Sequence, residues 1–190
     1  SAGEKLPTTT RTAWSKANGT SVFEAYGMSE CSTFLSGSPS QPAHGDRLGQ
    51  PQTGRRIAIL GPDGPVSRGN EGTIAVHKSD CGLMMGYLKA PEETAAKMQG
   101  EWFLTGDQGI MHHDDQISYL GRDDDMMNAG GYRVSPIEVE QVFNGYSGME
   151  SVAVTQVEVK TDTYVIAAFY TGPVALEENE LNAYAAHQLA

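Results

Sequence analysis

Residues 47–121 hold three short β-type runs, RRIAIL (55–60), GTIAVH (72–77) and QISYLG (116–121), parted by turn signals. These runs limit the fold more than any other feature of the chain. Each is too short for an amphipathic helix, and the punctuation between them, notably Gly61-Pro62-Asp63-Gly64-Pro65, reverses the chain quickly. Strands joined by tight turns pair antiparallel, so this stretch predicts a small antiparallel sheet or a distorted, β-barrel-like subdomain. One helix interrupts it. Pro91 suits a first helical turn, Glu92 and Glu93 suit the positive N-terminal end, and Gly100 ends the helix.

The flanks have a different style. TTTRTAWSKAN (8–18) predicts a helix stopped by Gly19, SVFEAYG (21–27) a short strand, and SGSPSQPAHGD (36–46) a loop. Past Arg122, DDDMMNAGGYR (123–133) is polar and Gly-rich and predicts a loop. Ser135-Pro136-Ile137-Glu138 is a capping box with Pro at the first helical position. The helix it opens turns Ile137, Val142, Phe143 and Tyr146 to one side. Two strands follow, SVAVTQVEV (151–159) and TYVIAAFYT (163–171), joined by a polar Lys160-Thr161-Asp162 turn, and a last helix begins near Leu176. Helix, two strands and helix open a small α+β domain, so the class is α+β with a boundary near residues 122–124.

Charge narrows the function classes. The 190 residues carry 13 Lys and Arg against 24 Asp and Glu, a formal net charge of −11. No basic stripe exists to neutralise phosphates, which disfavours nucleic acid and anionic membranes as partners. An acidic chain can still hold a nucleotide through backbone N–H groups, a few placed cations and a metal ion. Two cysteines, Cys31 and Cys81, make no disulfide scaffold and fit a reducing, cytoplasmic location. Cys81 has no base partner and reads as a small, semi-buried residue. The longest apolar run, residues 82–88, is too short to insert in a bilayer. The chain opens without Met and ends inside a helical pattern, as a piece of a longer protein would.

Four stretches carry candidate chemistry. Ser1-Ala2-Gly3-Glu4-Lys5-Leu6-Pro7 is a strand end leading through Gly toward a helix, where a ligand can approach the backbone. In Tyr26-Gly27-Met28-Ser29-Glu30, a ring can stack on a purine, a hydroxyl can bond a phosphate oxygen and a carboxylate can hold Mg²⁺, which prefers oxygen ligands. Taken alone, the same residues read more simply as a core tyrosine with a capping serine. WFLTGDQG (102–109) delivers Asp107 into a Gly-flanked turn, where it can bond a ribose diol or simply shape the turn. At the seam, Arg122 can reach ribose and phosphate oxygens. Asp123 to Asp125 suit a solvated hinge or a plain linker. His112-His113-Asp114-Asp115 reads as solvated turn residues rather than a metal site, because adjacent residues point in different directions.

Together, and in this order, the stretches resemble the adenylate-forming enzymes: acyl- and aryl-CoA synthetases, peptide-synthetase adenylation domains and luciferases. YGMSE is similar to their Tyr-Gly-x-Thr/Ser-Glu motif, WFLTGD to Trp-x-x-Thr-Gly-Asp, GRDDDMMNAGGYRVSPIEVE to their hinge and the loop beyond it, and GEKLP to the adenine-side segment. The resemblance implies the end of a large AMP-binding domain at 1–121, with a nucleotide-site segment at 1–45 and a β-rich subdomain at 46–121. A hinge at 122–124 and a truncated small domain at 125–190 follow. It implies that Gly3, Glu4 and Lys5 run beside adenine and that Tyr26, with Gly27, stacks on it. Ser29 contacts the α-phosphate, Glu30 helps hold Mg²⁺, Asp107 binds the ribose hydroxyls, and Arg122 reaches the ribose and phosphate region. Asp124 is the hinge position, and Gly131, Tyr132 and Arg133 line the channel for coenzyme A.

The implied reaction joins a small-molecule carboxylic acid, aliphatic or aromatic, to ATP, releasing pyrophosphate, and passes the acyl group from AMP to coenzyme A. Two alternatives stay open: an adenylation domain that loads a carrier protein, and a non-catalytic AMP-binding module. Intact Tyr26, Glu30, Asp107 and Arg122 speak against the second. Cys31, Ser32, Thr33 and Phe34 border the implied acyl pocket. The family's Gly-Lys phosphate loop has no counterpart in these residues. After Arg133 the only lysine is Lys160, in a strand-turn-strand setting unlike that of the family's late catalytic lysine. The 190 residues alone are therefore expected to form no adenylate. Acid-dependent pyrophosphate release by them would contradict this.

Overall fold

A computed structural model describes residues 1–3, 6, 8–45, 47–129, 132–160 and 163–189, with Thr8, Ala129, Tyr132 and Arg133 described by backbone alone. The chain divides into two compact units, Ser1–Tyr119 and Leu120–Ala190.

The first unit opens with helix α1, Thr8–Asn18, which stops at Gly19 as its sequence predicts. Strands β1 (Ala25–Met28), β2 (Ser32–Ser36) and β3 (Gln50–Pro51) form a three-stranded sheet in that order. The expected strand at 21–27 thus begins only at Ala25. Sheet β4 (Ile57–Gly61), β5 (Gly64–Pro65), β6 (Glu71–His77), β7 (Met98–Gln99) and β8 (Trp102–Met111) runs in the order β5-β4-β6-β8-β7, and β9 (Ile117–Arg122) also pairs with β8. It curls into a half-barrel, so the barrel-like expectation is met without closure.

Helix α2, Pro91–Ala96, is shorter than its sequence predicts. Met98 and Gln99 instead pair with Phe103 and Trp102. Gly100, at φ +60°, sits in the turn of that hairpin, so it serves the hairpin rather than the helix end. The core gathers Cys31, Phe34, Leu35, Leu48, Ile74 and Phe103, with neighbours from every long strand of the unit.

In the second unit, residues 123–133 are not wholly a loop. β10 (Met127–Ala129) and β11 (Tyr132–Val134) form an antiparallel hairpin. Met127 drives it: its side chain is buried with Val139, Phe143 and Val154. α3 (Pro136–Phe143) starts at the expected cap, where the Ser135 hydroxyl accepts from the Glu138 N–H at 3.3 Å. Its inner face is Val139 and Phe143, whereas Ile137 and Val142 are only half-buried. β12 (Ser151–Lys160) and β13 (Thr163–Thr171) pair antiparallel, and α4 (Glu178–Gln188) ends the unit. A cavity of about 780 Å³ lies among Val139, Phe143, Ile166, Leu181 and Ala185.

Among the described residues no helix is long and apolar enough to cross a membrane. Cys81 is exposed rather than semi-buried, because it sits in the turn after Asp80, away from the core.

Candidate nucleotide site

The site begins with a close approach. A Cβ on Gly27 would stand 2.2 Å from the Ser32 carbonyl oxygen and 2.5 Å from Thr33 Cα. Only glycine lets β1 and β2 meet there, and the register slips between Tyr26 and Gly27. The tight turn that follows presents Ser29, which is exposed, and Glu30, which is half-buried.

β8 supplies the opposite group. Between Leu104, paired with Ala75, and Gln108, paired with Thr73, three residues of β8 stand against Ile74 alone. Gly106, at φ +83°, makes this bulge possible and aims Asp107. Thr105, buried, fixes it: its hydroxyl donates to the Ile74 carbonyl at 2.7 Å and accepts the Asp107 N–H at 3.1 Å.

The Tyr26 hydroxyl donates to the Asp107 carboxylate, joining residues 81 apart in the chain. Asp107 is 7% exposed. The Tyr26 ring packs edge-on against Phe34, with centroids 5.2 Å apart, and lies tilted against Tyr119 at 6.1 Å. Burial, and after it the charge of Asp107, push the Tyr26 hydroxyl well above its ordinary pKa. Tyr26 is therefore a neutral donor at any physiological pH.

Glu30 is held from another direction. Its backbone carbonyl accepts the Met84 N–H at 2.6 Å, and its carboxylate accepts the Tyr87 hydroxyl at 2.8 Å. Among the described residues no group of three acidic, His or Cys side chains is placed to hold a metal ion. One carboxylate at a turn suits Mg²⁺, which keeps waters and takes phosphate oxygens rather than a protein cage.

The first residues lie alongside β1. Ala2 and Ala25 form a parallel bridge, the Ala25 N–H reaches the Ser1 carbonyl at 2.8 Å, and the Leu6 N–H reaches the Glu24 carboxylate at 2.6 Å. Gly3 is exposed with φ +97°. Glu4, Lys5 and Gly131 lie outside the described residues, and Tyr132 and Arg133 contribute backbone to β11. In the second unit, Arg122 ends β9 and its Nε stands 3.1 Å from Asp124 Oδ1.

The structure brings together Tyr26 and Asp107, and sets Ser29 and Glu30 on the turn just past Tyr26. Of the four residues expected at the acyl pocket, Cys31 and Phe34 belong to the core and Ser32 and Thr33 are exposed. Of the His112–Asp115 run, His112 pairs with Ser118, Asp114 with Arg47 and Asp115 with Arg68. Sequence reasoning missed Arg55, Asp80 and Tyr87, which hold the segment around Glu30. The signal for Tyr87 was a lone polar tip inside the apolar run 82–88.

Comparison with known proteins places the chain among relatives. The AMP-binding enzyme family matches residues 1–88. Acyl-coenzyme A synthetase ACSM5 of Mus musculus is 31% identical over 172 residues, covering 88% of this chain and 30% of that protein. MatB from Rhodopseudomonas palustris, solved with ATP bound, superposes with a TM-score of 0.84 at 27% identity, over 100% of this chain and 38% of that one. O-succinylbenzoate coenzyme A synthetase (MenE) from Bacillus subtilis, in complex with ATP and magnesium ion, gives 0.80 at 25% identity, over 100% and 39%.

The cytoplasmic location expected from the sequence is overturned by these relatives, since ACSM5 is named as mitochondrial. Reduced thiols could not distinguish the two compartments. The chain spans about 30% of the length of the curated relatives it matches. With its motifs in the family's order and its fold shared over its whole length, the chain belongs to the AMP-binding, acyl-CoA synthetase superfamily.

Proposed function

We propose that this chain is part of an ATP-dependent, AMP-forming acyl-CoA synthetase acting on a small carboxylic acid. The observation that carries the reading is the Tyr26–Asp107 pair, which joins two motifs 81 residues apart. The Tyr26 ring offers a face to adenine, and Asp107, held by Thr105 and Tyr26, accepts from the ribose hydroxyls. Gly3, Glu4 and Lys5 flank the base, a reading supported by the bridge that sets Ala2 beside β1. Ser29 donates to an α-phosphate oxygen. Glu30, with the phosphates, would hold Mg²⁺, which supplies positive charge against the developing phosphate charge.

The acid's carboxylate attacks the α-phosphorus and pyrophosphate leaves. The coenzyme A thiol then attacks the acyl carbon and AMP leaves. No side chain becomes covalently attached, so the protein's work is positioning and charge stabilisation. We assign the hinge to 122–124 around Asp124, with 1–121 before it and 125–190 after it. Arg122 serves the ribose and phosphate region, and Gly131 to Arg133 serve the channel for coenzyme A.

The test follows pyrophosphate release by the complete protein with Mg-ATP, across aliphatic and aromatic acids, with and without coenzyme A. A coenzyme A thioester from one acid class supports the ligase. Adenylate without thioester points to a carrier protein instead. Asp107→Ala should weaken AMP binding roughly a hundredfold or more, as two lost hydrogen bonds to a charged carboxylate would. Unchanged affinity removes Asp107 from the site.

A further inference from the structure

We propose that Tyr87 is a positioning residue for Glu30, fixing one carboxylate oxygen so that the other faces a nucleotide-bound divalent cation. This rests on the reading of Glu30 as the metal ligand.

Two bonds converge on Glu30 from one short segment. Met84 N–H takes its backbone carbonyl at 2.6 Å, and the Tyr87 hydroxyl takes its Oε1 at 2.8 Å. Among the described residues no hydrogen bond reaches the second oxygen. The carboxylate is thus held at one end and open at the other.

Tyr87 is itself anchored. Its N–H donates to the Thr94 hydroxyl at 2.9 Å, and that hydroxyl donates to the Ala90 carbonyl at 2.9 Å. The start of α2 therefore braces the tyrosine, and through it Glu30.

Apolar burial accounts for only part of this segment, since Leu83 and Met84 pack against the core. Met85 and Leu88 are fully or nearly fully exposed, while Tyr87, half-buried, directs its hydroxyl to Glu30. Packing holds the first part of the segment and the Tyr87–Glu30 contact holds the second. A phenol is well matched to this role. It donates to a carboxylate without neutralising its charge, and a phenol–carboxylate bond is charge-assisted and directional.

The test uses the complete protein, with Mn²⁺ in the presence of ATP as a paramagnetic probe for Mg²⁺. Titrations would compare the wild type, Glu30→Gln, Tyr87→Phe and Thr94→Ala, with thermal unfolding of each. Groups that orient a metal ligand typically change metal affinity tenfold or more. Tyr87→Phe should weaken Mn²⁺ binding about tenfold, with AMP affinity and the unfolding midpoint unchanged. Thr94→Ala should weaken it less. If Glu30→Gln binds Mn²⁺ as the wild type does, the metal reading itself falls, and the proposal with it. If Glu30→Gln fails to bind and Tyr87→Phe binds normally, the metal reading stands and the proposal falls. A Tyr87→Phe loss that follows a lower unfolding midpoint marks a merely structural role and also overturns it.

Discussion

Arg55 and Asp80 form an enclosed ion pair, Nε to Oδ1 at 3.0 Å, with the Asp80 side chain wholly shielded from solvent. The same guanidinium donates to the carbonyls of Cys31 and Thr33 and lies 5.8 Å from the Phe34 ring centre. One arginine thus ties the segment just after Glu30 to the loop at Asp80. Arg55→Met should strand a shielded carboxylate, a loss of roughly 3 kcal/mol. Asp80 keeps its N–H bonds from Arg56 and Gly82, which favours the lower end of the usual range. Urea unfolding would register this as a lower midpoint, and an unchanged midpoint would show that the pair holds nothing.

Tyr26 should make stability fall at high pH. Its folded pKa lies above the ordinary 10.0, through burial first and the charge of Asp107 next. The unfolded chain releases that proton near pH 10, while the folded chain keeps it. The stabilising contribution is therefore complete below about pH 10 and is lost as pH rises further. Tyr26→Phe removes this slope. Urea unfolding at several pH values from 8 to 11, for both proteins, should give curves that converge with rising pH; parallel curves would disprove the coupling.

The two thiols should differ in reactivity. Cys31 is buried in the core, and that burial pushes its pKa up to about 12. Cys81 is exposed. Thiolate is the nucleophile, so iodoacetamide at pH 8 should label Cys81 in the native protein and leave Cys31 untouched until the chain unfolds. Peptide mass mapping of labelled native and denatured samples decides the matter.

Ser135 does two jobs at the start of α3. It accepts the Glu138 N–H and donates to the Leu120 carbonyl. Ser135→Ala should cost about 1 to 2 kcal/mol, at the upper side for a cap because a carbonyl also loses its donor. Ser135→Thr keeps the hydroxyl and should recover part of the loss in the same unfolding assay.

What could be read from the residues was the local and the motif-borne. Ser135-Pro136-Ile137-Glu138 announced its helix because a capping box acts within four residues. Tyr26, Glu30 and Asp107 stood out because a ring, a carboxylate and glycines in fixed order name a chemistry. The β10–β11 hairpin was hidden because one buried Met127 outweighs three solvated aspartates nearby. α2 was read too long because Gly100 marks a hairpin turn as readily as a helix stop. Arg55, Asp80 and Tyr87 were invisible for another reason. Their partners lie between 22 and 57 residues away, and no local pattern records which arginine or tyrosine will arrive.

The bulge in β8 makes spacing itself a functional quantity. Thr105, Gly106 and Asp107 oppose Ile74 alone, and burial along the strand runs Phe103, Thr105, Asp107, then Gln108 and Gly109 without alternation. Deleting a single residue here would change phase, not merely length. Every side chain on one flank of the deletion would exchange inner and outer faces, and Asp107 would lose its alignment with Tyr26 without any substitution in either motif. The turn at residues 113–115, a few positions on, joins two strands at the surface and carries no such constraint. Length variation in this protein should therefore be tolerated at that turn and forbidden four residues before the strand ends.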